Sequence, residues 1–521
     1  MQFLSTIWLF IELHLQKLLN IATSHKYIAS FITGALLSFI QAPYNVWILI
    51  FPCFAMLYFL YCKASSLKQS FLIGFLFAFG YFVLGLYWIG NALLVDGNSY
   101  KWAWPLAVLA LPALLSLFTG LYVALAHLIG QKEKLTGLLA FCSLLALSEW
   151  VRGYAFTGFP WNLYGYGWSS VTQVIQTLSL FGPYGLTLLT IFWGCSLGFI
   201  SLFKQHRLWI GSFTLLSLIA SYEYGHYRLF YAEKEFDTTV QFNIVQPNIN
   251  QEDKWKAEKL AQNFEQHVEL STPAVKARKS IIIWPETSIG PALYQNSTVQ
   301  ERIQSVLSPN DLLLSGALIR KEDGSFHNAL SAWEYRQQPQ HLYSKSHLVP
   351  FGEYIPFQNL VPLKTVTQFS GFARGEGSRK INLDSYPSVQ PLICYEIIFP
   401  HEAFSKNNKR PEYILTLTND AWYGKSPGPH QHFEQARFRA IEQGVPVVRA
   451  ANTGISGIIN AYGHPMKTAD LMTQGNIQSY LPTQTSNKTY YSILKDWLFI
   501  LLAIGALLPA IILKKLRKQS A

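Results

Sequence analysis

The stretch Pro391-Leu392-Ile393-Cys394-Tyr395-Glu396-Ile397-Ile398-Phe399-Pro400 decides how the rest of the chain is read. Its apolar flanks predict a buried strand that stops at the cysteine. A carboxylate two residues beyond a thiol is costly to bury unless it has a partner or a chemical task. Taken alone, Cys394 reads equally as a small hydrophobe that packs well. Cys53, Cys62, Cys142 and Cys195 lie in apolar stretches, so Cys394 stands alone in the polar block. With no CxxC pair, neither a zinc site nor a thioredoxin-like site is indicated. Inert packing and reactive chemistry are the two readings left, and the surrounding chain has to choose between them.

Composition narrows the class. The chain has 521 residues, 50% of them hydrophobic and 14% charged, with 15 tryptophans, the profile of a membrane protein with a soluble part. Its net charge of +11 is unevenly placed: residues 238–485 hold 23 Lys+Arg against 21 Asp+Glu, and the remainder holds 18 against 9. The excess basic charge therefore lies beside the hydrophobic segments, where it sets membrane orientation. No focused basic stripe suggests nucleic acid.

Residues 1–20 form an apolar, weakly amphipathic start with neither a basic n-region nor a small-residue cleavage site, read as an interfacial or buried segment. Hydrophobic spans are predicted at 27–41, 44–62, 69–93, 103–130, 135–151, 172–203, 208–224 and 497–513. Gly182-Pro183 breaks the sixth, so a half-helix is expected ahead of the crossing. If eight spans alternate, Lys26, Lys63, Lys68, Lys132, Lys134, Lys204, Arg207 and the C-terminal Lys514-Lys515-Leu516-Arg517-Lys518 share one face, with only Lys101 and Arg152 opposed. The positive-inside rule makes that face cytoplasmic. Residues 238–485 are then on the far side, next to lipid. A loop on that side carries Glu149-Trp150-Val151-Arg152-Gly153 and Thr157-Gly158-Phe159-Pro160-Trp161. It reads either as interfacial anchors with a structural ion pair, or as a shaped floor under the soluble domain.

Within 238–485 the periodicity changes. Strands are predicted at 240–246, 280–285, 311–316, 412–418 and 446–450, with helical spacing over 251–270 and 431–443. Alternating strands and helices make this block α/β. Three motifs place reactive side chains just after strands: Glu286 in Trp284-Pro285-Glu286-Thr287, Lys345 and Glu353 in the run from Tyr343 to Pro356, and Cys394 with Tyr395 and Glu396. Sites in open α/β architectures gather at strand carboxyl ends. A carboxylate, an ammonium and a thiol meeting there supply a base, a cation that lowers the thiol pKa and holds an oxyanion, and a nucleophile. Glu353 would hold Lys345 charged and oriented, and Glu396 either supports that network or lies outside it. His430 and His432 read as ordinary helix-start residues, since no further metal-ligand group is near in sequence.

These motifs together resemble the nitrilase superfamily with its Glu-Lys-Cys triad. Placed after a polytopic membrane domain and before one closing span, they resemble its membrane-embedded branch, the apolipoprotein N-acyltransferase family. The resemblance extends to Gln246-Pro247-Asn248-Ile249, to Thr418-Asn419-Asp420-Ala421-Trp422-Tyr423-Gly424, and to Arg449-Ala450-Ala451-Asn452-Thr453-Gly454. It implies a polytopic α-helical membrane domain of about eight transmembrane helices plus an α/β nitrilase-like αββα sandwich domain. The expected divisions are an N-terminal segment 1–26, a membrane domain 27–237 with seven spans, a catalytic domain 238–485, and a last helix with a basic tail, 486–521.

By the same resemblance Glu286, Lys345 and Cys394 are catalytic and Glu353, Tyr395 and Glu396 supporting. Trp255 contacts substrate, with a helix-core aromatic as its plain alternative. No cofactor or metal is implied. The implied reaction moves an acyl chain from a phospholipid to Cys394, and from there to the α-amino group of a diacylated apolipoprotein. It would take place in a bacterial inner membrane, with the catalytic domain periplasmic, both termini cytoplasmic, and a monomer among bilayer lipids. The segment 354–377, including Phe369 and Phe372, reads as an apolar arm that dips into the interface and gates substrate entry, with an ordinary packed loop as its plain alternative. Two rivals stand beside this reading: a membrane-anchored carbon-nitrogen hydrolase (amidase or nitrilase) using the same triad, and a non-enzymatic scaffold or transporter. The membrane floor argues against the first, and the intact triad with spans nearly free of charge argues against the second.

Overall fold

The computed structural model describes residues 14, 16–96, 98–232, 235–272, 279–356, 371–403 and 409–519. Most of the predicted N-terminal segment, and residues 357–370 of the predicted arm with Phe369, lie outside the described residues.

Each predicted span is helical: Lys26–Leu37, Ile50–Lys63, Leu67–Leu86, Trp104–Ile129, Leu135–Tyr154, Leu178–Leu202, Arg207–Phe230 and Trp497–Gln519. Among the described residues, five helices are long and apolar enough to cross a membrane: Leu67–Leu94, Lys101–Ile129, Leu135–Tyr154, Leu178–Leu202 and Trp497–Leu516. Lys26–Ile40 and Trp47–Lys63 are apolar but shorter. Arg207–Phe230 is long enough, but Glu223, His226 and Arg228 interrupt its second half. The expected eight are thus eight helices, of which five qualify by length and composition.

Exposed leucines 106, 109, 117, 121 and 128 run along Trp104–Ile129, and Leu208, Trp209 and Phe213 stand out from Arg207–Phe230. Such an apolar belt suits a hydrocarbon surround. Where helices meet one another, backbones touch. A Cβ on Gly34 would stand 1.7 Å from the carbonyl oxygen of Phe77, the close approach that small residues permit between spans.

The sixth span begins as predicted. A short helix at Thr172–Ile175 precedes Leu178–Leu202, and Gly182 breaks the latter at φ 66° and ψ −173°. The ring of Tyr491, just ahead of the last span, fills the space beside it: a Cβ on Gly182 would lie 2.0 Å from that ring.

The strands are β1 Phe236–Gln246, β2 Ser280–Ile289, β3 Asp311–Arg320, β4 Phe326–Glu334, β5 Gln340–Ser344, β6 Ile381–Leu383, β7 Tyr386–Ile393, β8 Tyr413–Thr418, β9 Val447–Ala451, β10 Ser456–Ile459, β11 Pro465–Ala469 and β12 Gly475–Pro482. They form two six-stranded sheets, ordered β12-β1-β2-β3-β4-β5 and β11-β10-β9-β8-β7-β6. Each sheet has a parallel trio at its centre, β1-β2-β3 and β7-β8-β9, flanked by antiparallel strands.

The two-residue period of a strand assigns the layers. Ile281 and Ile283 of β2 meet Leu415 and Leu417 of β8 between the sheets. Ile282 and Trp284 face the other way, onto Phe264 and Val268 of the helix Leu260–Leu270. That helix occupies only the second half of the predicted 251–270, because residues 251–259 form turns and a single 3-10 turn. On the second sheet the outward residues Leu392, Ile414 and Val447 belong to the same core as the membrane helices. The helix Pro427–Gln443 lies within that shared core, and its two flanks are sandwich and membrane domain. Ser426 caps its start, with Pro427 opening the first turn, and Gly444 ends it in the left-handed conformation.

Replacing Gly182 by alanine puts a side chain both into a left-handed backbone position and into the Tyr491 ring. Thermal unfolding in detergent is expected to show a loss of about 2 kcal/mol or more for Gly182→Ala, with Tyr491→Ala in the same chain recovering part of it.

Candidate active site

Glu286 stands near the carboxyl end of β2, Lys345 directly follows β5, and Cys394 directly follows β7. Pairing of sequence-distant strands brings their ends to one edge of the sandwich. Lys345 Nζ donates to Glu353 Oε1 at 2.8 Å and lies 3.5 Å from Glu286 Oε1. All three side chains are almost wholly buried. Two carboxylates around one ammonium form a compact lattice, and each charge offsets the desolvation of the others.

Asn328 on β4 completes it. Its Nδ2 donates to Glu286 Oε1 at 2.7 Å and lies 3.5 Å from Glu353 Oε1, while its backbone oxygen accepts from Lys345 N at 2.8 Å. Glu353 Oε2 accepts from the Val349 amide at 2.8 Å, so the loop between Val349 and Glu353 closes on itself. Burial alone would depress the Lys345 ammonium, but Glu353 and Glu286 lift it well above the ordinary lysine range.

Cys394 is buried and adopts φ 52°, a left-handed conformation rare for a residue with a side chain. Such a conformation costs on the order of 1–3 kcal/mol and needs restraint from its surroundings. Burial pushes the thiol up from its ordinary range; Glu286 adds to the rise, and Lys345 opposes it. The sequence-based expectation that Lys345 lowers the thiol pKa describes one contribution, and burial outweighs it. Burial thus favours the neutral thiol over the thiolate.

Glu396 lies outside the Lys345 lattice, one of the two alternatives left by the sequence. Its Oε2 accepts from the Ile393 amide at 2.6 Å. Its Oε1 accepts from Tyr343 Oη at 2.7 Å, from the Ser346 amide at 2.6 Å and hydroxyl at 2.8 Å, and from the His347 amide at 3.1 Å. One carboxylate thus ties the Cys394 turn to the loop that carries Lys345. Burial, followed by Glu402, raises its pKa, and the donors around it pull the other way.

Tyr395 points towards the membrane domain, its hydroxyl 3.4 Å from the Gly158 carbonyl and its ring beside Phe159. The loop carrying Gly158 and Phe159 is braced by the buried pair Arg152–Glu149 at 2.6 Å. Arg152 also donates to the carbonyls of Phe159 and Trp161. Ion pair and shaped floor are therefore one object.

Trp255 is half-buried and lines a small cleft with Lys254, Ser288, Asn452 and the residues either side of Glu286, Pro285 and Thr287. Lys254 beside it is buried, its Nζ donating to the Glu286 carbonyl at 2.9 Å. Burial draws its pKa down to about 8, against the pull of Glu286 and Cys394.

Sequence reasoning missed Asn328, which sits in a strand without a motif, and misread His432. The His432 ring is fully buried. Its Nδ1 is 2.9 Å from Asp420 Oδ1 and its Nε2 3.2 Å from the Cys394 carbonyl. Among the described residues no group of three or more His, Cys, Asp or Glu is arranged to hold a metal ion. A second cleft opens beside the site at the membrane loop, between Phe156 and Thr157 on one side and Ser346, His347, Arg374 and His401 on the other.

Two measurements check these electrostatics. Because burial holds the thiol protonated, iodoacetamide alkylation of Cys394 is expected to be slow at neutral pH and to accelerate as pH rises into the alkaline range. Lys345→Met should slow it further, by about tenfold for each pKa unit that the ammonium had opposed. Glu396→Gln removes a charged acceptor from its ring of donors and is expected to cost about 3 kcal/mol in thermal unfolding.

Comparison with known proteins agrees with this architecture. The family description "Apolipoprotein N-acyltransferase N-terminal domain" matches residues 33–196, and "Carbon-nitrogen hydrolase" matches residues 241–480. The apolipoprotein N-acyltransferase of Rhodopseudomonas palustris is 36% identical over 487 residues, covering 89% of this chain and 90% of its own. That of Agrobacterium fabrum is 38% identical over 467 residues, covering 86% and 87%. That of Rhizobium rhizogenes is 35% identical over 507 residues, covering 92% and 94%. With a sandwich of the carbon-nitrogen hydrolase family set on a bundle of apolar helices, and this identity along nearly its whole length, the chain belongs to the apolipoprotein N-acyltransferase family.

Proposed function

We propose that this membrane protein transfers an acyl chain from a phospholipid, through a thioester on Cys394, to the α-amino group of the diacylglyceryl-cysteine of an apolipoprotein. The observation that carries this reading is that the residue beside the thiol touches the membrane loop, Tyr395 Oη meeting the Gly158 carbonyl. Drawing an acyl chain out of the bilayer into water costs about 0.8 kcal/mol per CH₂, so a thiol that takes acyl chains belongs against lipid. A carbon-nitrogen hydrolase acting on small polar substrates has no need of that contact.

In the first half-reaction the Cys394 sulfur attacks the ester carbonyl while its proton passes to Glu286. The oxyanion forms beside the Lys345 ammonium, already held by Glu353, so little reorganisation is required as charge develops. Collapse breaks the ester C–O bond, and Glu286 returns the proton to the departing lysophospholipid oxygen. In the second, the neutral α-amine attacks the thioester and gives a proton to Glu286. The C–S bond then breaks, the amide forms, and the sulfur recovers its proton. Dividing the transfer into two steps lets one carboxylate serve as base and acid in each.

In this reading residues 238–485 form the catalytic domain between the membrane domain 27–237 and the closing helix 486–521. Trp255 contacts substrate from the cleft beside Glu286. The basic residues around the spans support a catalytic domain on the periplasmic face of the inner membrane, with cytoplasmic termini. The protein acts as a monomer.

The direct test is incubation of wild type and Cys394→Ala with phospholipid labelled in its acyl chain, with and without a diacylated lipopeptide. Mass spectrometry is expected to find an acyl adduct on Cys394 in the absence of lipopeptide, its transfer to the lipopeptide amine when present, and neither in the variant. Labelled free fatty acid released at the same rate with or without lipopeptide would instead indicate hydrolysis.

A further inference from the structure

His432 and Asp420 are buried, lie outside the Glu-Lys-Cys set, and meet the nucleophile from below. The peptide carbonyl of Cys394 can only accept, so the ring nitrogen 3.2 Å from it, His432 Nε2, carries the hydrogen. The opposite nitrogen faces Asp420 Oδ1 at 2.9 Å. Asp420 is held in turn by Arg449 Nη2 at 2.6 Å and Thr418 Oγ1 at 2.9 Å; Arg449 Nη2 also stands 3.3 Å from His432 Nδ1. Burial would raise the Asp420 carboxyl, but His432 and Arg449 hold it below its ordinary value. The indole of Trp161, from the membrane loop, covers the imidazole at 5.4 Å.

Cys394 needs such a restraint. Its φ of 52° is unfavourable for a side-chain-bearing residue, and the conformation persists only if its flanking peptides are held. On one side the chain is tied to Glu396 at the Ile393 amide, one peptide before the bond that enters Cys394. On the other the Cys394 carbonyl is tied to His432.

We infer that His432, oriented by Asp420, is a positioning residue that holds the strained Cys394 backbone so that its sulfur meets the substrate carbonyl. The chain of contacts runs from Trp161 through His432 to the Cys394 peptide, and so seats the nucleophile on the membrane domain itself. The inference rests on Cys394 being the nucleophile, which the acyl adduct in wild type tests separately.

Two substitutions divide the ring's functions. In His432→Gln the side-chain amide can occupy the place of Nε2 and donate to the Cys394 carbonyl. In His432→Asn it can occupy the place of Nδ1 and reach Asp420 only. Measured as kcat and KM for phospholipid and lipopeptide, His432→Gln is expected to stay within about fivefold of wild-type kcat, and His432→Asn to fall about 100-fold with KM unchanged. Equal losses in the two variants, no loss in either, or a rise in KM matching the fall in kcat would overturn the assignment. If His432→Asn does not fold, Asp420→Asn takes its place, keeping the core volume while removing the charge that orients the ring. A fall in kcat at constant KM is then expected, and unchanged kcat overturns the inference.

Discussion

The helix Pro427–Gln443 is a polar sequence with almost no solvent face: 15 of its 17 residues are buried. Many of its polar groups find partners within the helix or in the two domains that enclose it. Gln431 accepts from the indoles of Trp88 and Trp161 and reaches the carbonyls of Ala42 and Gly85. Arg439 pairs with Glu442 at 2.7 Å and donates to Tyr166 Oη at 2.9 Å, and the Tyr166 ring stacks on Phe438. Arg437 joins Glu434, the Gly463 carbonyl and the Ser169 carbonyl. Neither domain could leave this helix without orphaning buried donors and acceptors. A buried ion pair adds little net stability by itself, yet breaking one is costly, so the pattern acts as a register between membrane bundle and sandwich.

The edge that holds Glu286, Lys345 and Cys394 is buried in the assembled chain. Burial raises the thiol pKa and strengthens every charge–charge contact around Lys345.

Glu286 and Cys394 stood out because each lies at the end of an apolar run, where strand periodicity stops abruptly and leaves a polar residue with no local reason to be there. The strands β2, β3, β8 and β9 were legible for the same reason. Strands β4 and β5 were not: Phe326–Glu334 mixes His327, Asn328 and Ser331 with apolar residues, and all three are buried by pairing with strands of the same sheet rather than by their own pattern. Strand β12 pairs with β1 across more than two hundred residues, a distance no local signal spans. His432 looked like a helix-start residue because helix-start histidines are common, and its sequence neighbours say nothing of the Cys394 carbonyl above it.

By itself, the order of residues determined which side chains could be nucleophile, base and cation, and that an α/β unit had to accompany apolar helices. Those are local facts, written in hydrophobic periodicity and in the chemistry of single groups. Only the tertiary structure decided that Asn328 joins the Glu353–Lys345 lattice, that Glu396 serves the backbone rather than the charge cluster, and that the His432 ring meets the Cys394 carbonyl. These depend on distances between strands and domains far apart in the chain. Burial and hydrogen-bond geometry, which set the protonation and the shape of the site, arise only when those distant pieces close on one another.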